Sequence, residues 1–389
     1  MVRHRYPLTA LAGVLVLALP GCTLTDDGSA TSSGETAEPL SLVSNVQDGS
    51  SAVAVDTVVS VAIEHGSLEE ASLVADDDTA IGGTVAGGRW IAAERLEPGT
   101  SYTMTASGVG DDGEAMSVSS SFSTVDLSLD QQTYPSVAPL ADETVGVGMP
   151  IIVMFDLPVE NKALYERSMH VSAEPSVEGS WYWLSDREAH FRPKQYWPAG
   201  TEVHVRLDLN SLPAGNGVFG QQDQDIRFKV GREVISTVDV AAHTMTVAID
   251  GKKVRTMPVT TGKAGNETRE GTKVVMERLS SVDMDAATTG VDEDDPDYYN
   301  LSDVRWAMRL TNSGEFVHAA PWSQASQGLA NVSHGCTGLS MADAKWLFDQ
   351  SKRGDVMKFV NSPRSLEDHN GWTDWNLSWD DWQDGSSLP

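Results

Sequence analysis

From Leu40 onward the chain is written in short runs of alternating apolar and polar residues, with glycine or proline between them. Ser51-Ala52-Val53-Ala54-Val55 and Ser101-Tyr102-Thr103-Met104-Thr105 are two such runs; Gly82-Gly83, Gly87-Gly88 and Glu97-Pro98-Gly99-Thr100 are among the breaks. A period of two turns every second side chain inward, which is the pattern of a strand with one buried face. Many short strands at this spacing predict a β-sandwich of immunoglobulin type over residues 40–125. Residues 126–231 repeat the style with Ile151-Ile152-Val153-Met154-Phe155, His190-Phe191-Arg192-Pro193 and Glu202-Val203-His204-Val205-Arg206-Leu207. Pro198-Ala199-Gly200-Thr201 precedes the last of these as Glu97-Pro98-Gly99-Thr100 precedes a run in the first unit, so two related sandwiches in tandem are expected. At 389 residues the chain is too long for a single core and has room for more.

A third region, 232–361, is again expected to be mainly β. Val234 to Val240 and Thr244 to Ile249 read as paired strands, Asp250-Gly251 as a turn, and Lys252 to Thr260 as the next strand. It holds one clear helix: Ser340 as N-cap, Asp343 in the first turn, Ala344, Trp346, Leu347 and Phe348 as the apolar face, and Gly354 as the stop. A strand, Asp355 to Val360, follows. Residues 362–389 form a tail studded with Trp372, Trp375, Trp379 and Trp382, whose spacing predicts packing against the third region rather than sugar binding.

Residues 1–22 read as an address. Arg3 and Arg5 form a charged head, Leu8 to Leu19 an apolar stretch too short to span a bilayer as a stable helix, and Leu19-Pro20-Gly21-Cys22 a lipobox-like end. A cleaved lipoprotein signal with lipid on Cys22 is expected, followed by a flexible polar tether over 23–39. The protein is then exported and membrane-anchored. A net charge of −29 argues against nucleic acid as a partner.

With Cys22 spent on lipid, Cys336 has no disulfide partner, so reactivity or burial must explain it. It closes Ser333-His334-Gly335-Cys336, and a second histidine ends the run Phe316-Val317-His318. A thiol serves acyl transfer as thiolate and needs a base or a cation within reach. His334 sits too close in the loop to turn toward the sulfur and is better placed to shape it. His318 comes from a separate strand and is assigned as base. Gly335 lets the loop bend so that the amides of His334, Gly335 and Cys336 converge as an oxyanion hole.

His318-Ala319-Ala320-Pro321-Trp322-Ser323 followed by Ser333-His334-Gly335-Cys336-Thr337-Gly338-Leu339-Ser340 resembles the signature of the L,D-transpeptidases, with their YkuD-type catalytic domain. The lipobox, two immunoglobulin-like units and the Gly371-to-Asn376 segment of the tail extend the resemblance to actinobacterial and mycobacterial members. It implies attack of Cys336 on the bond between the third stem residue and D-Ala of a peptidoglycan tetrapeptide, loss of D-Ala, and transfer of the thioester's acyl group to another stem's amine as a 3-3 cross-link. It further implies that the Ala319 carbonyl orients His318 and that Tyr299, or Tyr298 beside it, completes the pocket. Met284-Asp285 would be its lid, with Trp322 and Ser333 at the substrate. Carbapenem-type β-lactams would be inhibitors. Ala319 stands where many relatives carry serine, and Gly338 where many place asparagine or arginine.

Two other readings share these residues: an L,D-carboxypeptidase, in which water resolves the same thioester, and a non-catalytic wall-binding lipoprotein. No cofactor or metal site is expected. Asp292-Glu293-Asp294-Asp295-Pro296-Asp297 lacks the spacing of a calcium loop and reads as a solvated lid loop. His243 and His369 read as surface histidines.

Overall fold

The structure, a computed structural model, describes residues 38–295 and 298–389. The expected signal peptide, Cys22 and nearly all of the tether lie outside the described residues. The chain is mainly β.

Two four-stranded antiparallel sheets make the first sandwich. One holds Ser41–Ser44, Ser60–Glu64, Arg89–Ala92 and Gly83–Ala86, and the other Ala80–Ile81, Gly66–Ala75, Ser101–Gly110 and Ala115–Ser123. The alternation read from the sequence is seen in Ser101–Gly110, whose Tyr102, Met104 and Ala106 are buried while Ser101, Thr103 and Thr105 are exposed. The second sandwich pairs Pro135–Ala138, Ile151–Phe155, Glu188–Pro193 and Gly179–Trp183 against Thr144–Val145, Gln224–Val230, Glu202–Leu207 and Met169–Glu174. The two turns that suggested a repeat are built alike: the Thr100 hydroxyl donates to the Pro98 carbonyl at 3.0 Å, and that of Thr201 to Pro198 at 2.7 Å. Between them Gly99 and Gly200 take φ of +60° and +83°, where a side chain would be strained.

The third unit has a five-stranded sheet in the order Lys252–Pro258, Thr244–Ile249, Val234–Asp239, Val356–Val360, Gly271–Val274. A four-stranded sheet, Glu277–Asp285, Asn300–Arg309, Phe316–Ala319, Thr337–Leu339, lies on the other side of a common core. Leu347 and Ala344 of the helix Met341–Gln350 close that core, and the Ser340 hydroxyl accepts the Asp343 N–H at its start, as the cap motif predicted. The helix stops at Gln350 with Ser351 as C-cap, before Gly354 is reached.

The units join through backbone. Gly146 N–H donates to the Arg353 carbonyl at 2.7 Å and Gly148 N–H to that of Gly354 at 2.8 Å. A Cβ on Gly146 would lie 2.2 Å from Asp355, so only glycine permits this approach. Arg353 adds a two-pronged ion pair to Glu143 across the same joint.

The tail departs from expectation. Its tryptophans pack chiefly on the second sandwich, because that sandwich presents the acceptors and the cation they need. Trp375 Nε1 donates to the Gly148 carbonyl and Trp382 Nε1 to that of Ser180; Arg192 lies over the rings of Trp375, Trp379 and Trp382. The third unit is held by polar tail residues instead: the Asn376 side chain bridges the Thr272 N–H and carbonyl, and Glu367 pairs with Arg269. The tail is thus a strap across both.

Its deepest fastening is Asp374 against His190, Nδ1 to Oδ1 at 2.6 Å, with Glu188 on the far ring nitrogen at 2.9 Å. Burial works against the imidazolium, but Asp374 and Glu188 override it and lift His190 from 6.5 to about 9. A histidine raised on folding stabilises fully below its unfolded value and ceases to do so as pH climbs through its folded one. The melting temperature of the wild-type protein should therefore carry a decline between pH 6.5 and about 9 that the Asp374→Asn variant lacks. Parallel melting curves for the two proteins across that window would refute this role.

Candidate active site

Phe316–Ala319 and Thr337–Leu339 pair in parallel, with His318 opposite Gly338. Residues two apart on a strand share a face, so Cys336, two before Gly338, falls on the side that His318 occupies. Both side chains line one cavity of about 240 Å³ together with Met284, Tyr299, Trp322, Ser333, His334 and Gly338. The structure therefore gathers there the catalytic and substrate-site residues named from the sequence except Ala319 and Gly335, each the chain neighbour of a lining residue, and Asp285 of the expected lid, which lines an adjoining cavity. Thr260, Leu301, Ala320, Ser323 and Val332 complete the lining; Ala320 and Ser323 lie in the His318-to-Ser323 signature without a role having been assigned to them, and nothing in the local sequence marked Thr260, Leu301 or Val332.

His318 is 5 % exposed, and its Nδ1 lies 2.8 Å from the Ala319 carbonyl. A carbonyl only accepts, so Nδ1 carries the proton and Nε2 keeps its lone pair. Burial lowers the imidazole's pKa, opposed by that one hydrogen bond. The ring is neutral at neutral pH and able to take a proton. Trp322, 56 % exposed, stacks on it with centroids 5.8 Å apart.

Cys336 is half-buried: it opens on the cavity but is surrounded by protein on its other sides. Its sulfur accepts the Phe316 N–H at 3.4 Å and faces the Gly314 carbonyl at 3.6 Å. Burial pushes the thiol up to about 11; the Phe316 N–H pulls it back, Glu315 adds to the rise, and Lys273 and Arg309 oppose it. The resting pair is thus thiol and neutral imidazole, so the base assigned from the sequence has a proton to take. The physical reason for the protonated thiol is the enclosure of the sulfur, which sequence does not show.

The loop differs from expectation. Gly335 takes φ of +122°, the conformation for which glycine was singled out, but its N–H donates to Ser333 Oγ at 3.2 Å. It is therefore removed from the three-amide oxyanion hole expected from the sequence. Ser333 in turn donates to the Cys336 carbonyl at 2.6 Å, so it shapes the loop as well as lining the cavity. His334 stacks on Tyr299 with centroids 5.0 Å apart, and this selects Tyr299 over Tyr298 as the cavity's tyrosine. Burial followed by the charge of Cys336 lifts that phenol to about 12, so it remains a donor. Met284, 8 % exposed, packs on the same wall.

Gly338 has no room for a side chain: a Cβ would sit 2.9 Å from both Ala320 Cβ and Thr260 Cγ2. His243 proves to be half-buried, with Nδ1 2.9 Å from Asn331 Oδ1, and Asn331 ties the loop before Ser333 to the Val240 carbonyl. His369 is exposed, as expected. Asp292, Glu293, Asp294 and Asp295 are exposed, and among the described residues no acidic or histidine cluster is arranged to hold a metal.

Known proteins match this architecture in both halves. A bacterial Ig domain model matches residues 50–213, across the junction of the two sandwiches, and an L,D-transpeptidase catalytic domain model matches residues 233–360. L,D-transpeptidase 2 of Mycobacterium tuberculosis is 36% identical over 349 residues, covering 89% of this chain and 85% of the relative. L,D-transpeptidase 5 of the same species is 34% identical over 402 residues, covering 100% of this chain and 86% of the relative. A solved LD transpeptidase, LdtMt1 in complex with imipenem, superposes with a TM-score of 0.52 at 36% identity, over 59% of this chain and 99% of that one.

The protonation state of the pair is measurable. Titrated by the ultraviolet band of the thiolate, with the Cys336→Ala variant subtracted, the protein should show no band at neutral pH and a rise centred near about pH 11. A full band at neutral pH would mean that imidazolium and thiolate coexist at rest.

Proposed function

Because this chain belongs to the L,D-transpeptidase family, with a YkuD-type catalytic domain behind bacterial immunoglobulin-like units, we propose that it forms 3-3 cross-links in peptidoglycan through a thioester on Cys336. The observation that carries the reading is the shared cavity, in which a thiol and an imidazole with a free Nε2 face the same space.

With a donor tetrapeptide seated there, Cys336 attacks the carbonyl carbon of the third stem residue while His318 Nε2 takes the thiol proton. The proton moves as the carbon–sulfur bond forms, which suits a thiol that is neutral at rest. The oxyanion is met by amide protons of the His334–Cys336 loop and by the Tyr299 hydroxyl. Collapse breaks the bond to D-Ala, whose amine leaves with the proton from His318. The side-chain amine of a second stem then attacks the thioester, His318 removes its extra proton, and Cys336 departs and is reprotonated.

A second cavity of about 220 Å³ meets the thiol's cradle from the other side, at Gly314 and Phe316, and shares Met284 and Tyr299 with the first. Asp283 and Asp285 line it against a single cation, Arg309, and this net negative setting suits a cationic amine on its way in. This favours transfer over the carboxypeptidase reading, since water needs no second charged approach. A purely wall-binding role would leave the orientation of His318 by Ala319 without use. The superposed relative binds imipenem, and the apolar cavity beside Cys336 supports carbapenem-type lactams as acylating inhibitors here as well.

Incubated with a disaccharide tetrapeptide, the protein should yield a cross-linked dimer and free D-Ala by mass spectrometry. A carbapenem should add its mass to Cys336, and the Cys336→Ala variant should lose both reactions. Tripeptide as the sole product would assign the carboxypeptidase activity, and full activity in the variant would remove the mechanism. The anchoring of the enzyme by lipid on Cys22, outside the membrane and facing the wall, is part of the same proposal. Cys22→Ala should move the protein from the membrane fraction to the soluble one; unchanged partition would remove the anchor.

A further inference from the structure

One buried cluster of charge plays no part in the mechanism above. The side chain of Lys273 has no exposed surface and is ion-paired with Glu315, itself 4 % exposed. The other carboxylate oxygen of Glu315 takes Arg269 Nη1 at 2.9 Å and the Arg269 N–H at 3.0 Å. The Lys273 ammonium also lies 3.8 Å from the centre of the Phe359 ring. Removing three ionised groups from water is expensive, and apolar packing of the same volume stabilises a fold as well or better. The cluster therefore asks for an explanation beyond stability.

Its position supplies one. Glu315 stands between Gly314 and Phe316, the two residues whose backbone carbonyl and N–H hold the Cys336 sulfur. Thr268, next to Arg269, donates its hydroxyl to the Gly335 carbonyl at 2.6 Å, in the residue that precedes the thiol. Two consecutive residues thus hold both chain segments around one sulfur. The carboxylate lies directly behind the loop: a Cβ on Gly335 would be 3.8 Å from Glu315 Oε1.

We propose that Glu315, clamped by Lys273 and Arg269, is a positioning residue that fixes the two backbone groups holding the Cys336 sulfur and sets the charge behind it. The proposal rests on Cys336 being the nucleophile. The charged groups that bear on the sulfur are Glu315, which opposes a thiolate, and Lys273 and Arg309, which favour one; Tyr299 and His318 face it across the cavity. Glu315 keeps the sulfur protonated until His318 takes the proton, and holds it still meanwhile.

The test compares the full chain with two variants, Glu315→Gln and the double variant Lys273→Met with Glu315→Leu. In the double variant Arg269 keeps its partner Glu367. Two readouts are taken: kcat and KM for transfer between tetrapeptide stems, and the pH midpoint of Cys336 alkylation by iodoacetamide. Glu315→Gln should lower kcat by about tenfold or more with KM within about threefold, and move the alkylation midpoint to lower pH because the adjacent negative charge is gone. The double variant should fold, as buried ion pairs exchanged for apolar groups commonly do, and still turn over slowly. Wild-type kcat in the double variant would reduce the cluster to a structural role, and an unmoved midpoint with wild-type kcat in Glu315→Gln would overturn the proposal outright. If Glu315→Gln does not fold, the double variant decides alone. Absence of transfer by the wild-type enzyme would instead overturn the reading of its activity, while a shifted alkylation midpoint would still support the positioning of the sulfur.

Discussion

The site depends on a parallel pairing of two very short strands, Phe316–Ala319 and Thr337–Leu339. Parallel neighbours cannot be joined by a tight turn. The connection between them therefore has length to spare, and it carries Trp322, Ser333 and His334 around the cavity's rim. In-register pairing puts His318 opposite Gly338, and the period of two puts Cys336 on the same face. A slip of one residue would turn the imidazole into the core and the thiol away from it. Gly338 guards the register from its side, because Ala320 and Thr260 already occupy the space a Cβ would need. An asparagine or arginine there would force the His318 strand to shift.

Burial governs the chemistry of the pair as much as adjacency does. Enclosure raises the thiol and lowers the imidazole, and both shifts favour the uncharged forms. A neutral pair is compatible with a cavity whose lining is largely apolar and spares the fold a buried, unscreened ion pair. In the proposed reaction it places the demand for charge stabilisation at the moment of attack, when the oxyanion and the imidazolium would form together.

Much of this was legible in the sequence, and what was not has a physical cause. The sandwiches could be read because alternation and glycine turns are local signals, as in Ser101–Gly110 and in the paired turns at Thr100 and Thr201. Cys336 and His318 could be read because each lies in a short local run of residues, Ser333-to-Cys336 and Phe316-to-His318, whereas the choice of Tyr299 over Tyr298 needed the stacking on His334. The tail could be read as packed but not against what: its tryptophans need Gly148, Ser180 and Arg192, all some two hundred positions earlier in the chain. The protonation of the thiol and the capture of the Gly335 amide by Ser333 are properties of three-dimensional enclosure and of one hydroxyl's direction. Lys273, inside the strand Gly271–Val274, and Glu315, just before the strand Phe316–Ala319, gave no signal at all, since a charged residue normally means solvent.

The strap gives the separate units a common mechanical logic. Its Glu367 reaches Arg269, whose other bonds hold Glu315 and thereby the thiol's cradle; its Asp374 and tryptophans are fixed to the second sandwich. The sandwich is joined to the third unit independently through Gly146, Gly148 and the Glu143–Arg353 pair. Two attachments well apart in the chain resist rotation about either one, so the second sandwich and the catalytic unit behave as one rigid body. Among the described residues the first sandwich has no comparable strap: the side-chain hydrogen bonds at its junction are those of Leu96, Arg95 and Glu97 with residues 208–211. Flexion in the described chain is therefore expected there, on the side remote from the site, where it alters the reach of the enzyme without disturbing the alignment of His318 and Cys336.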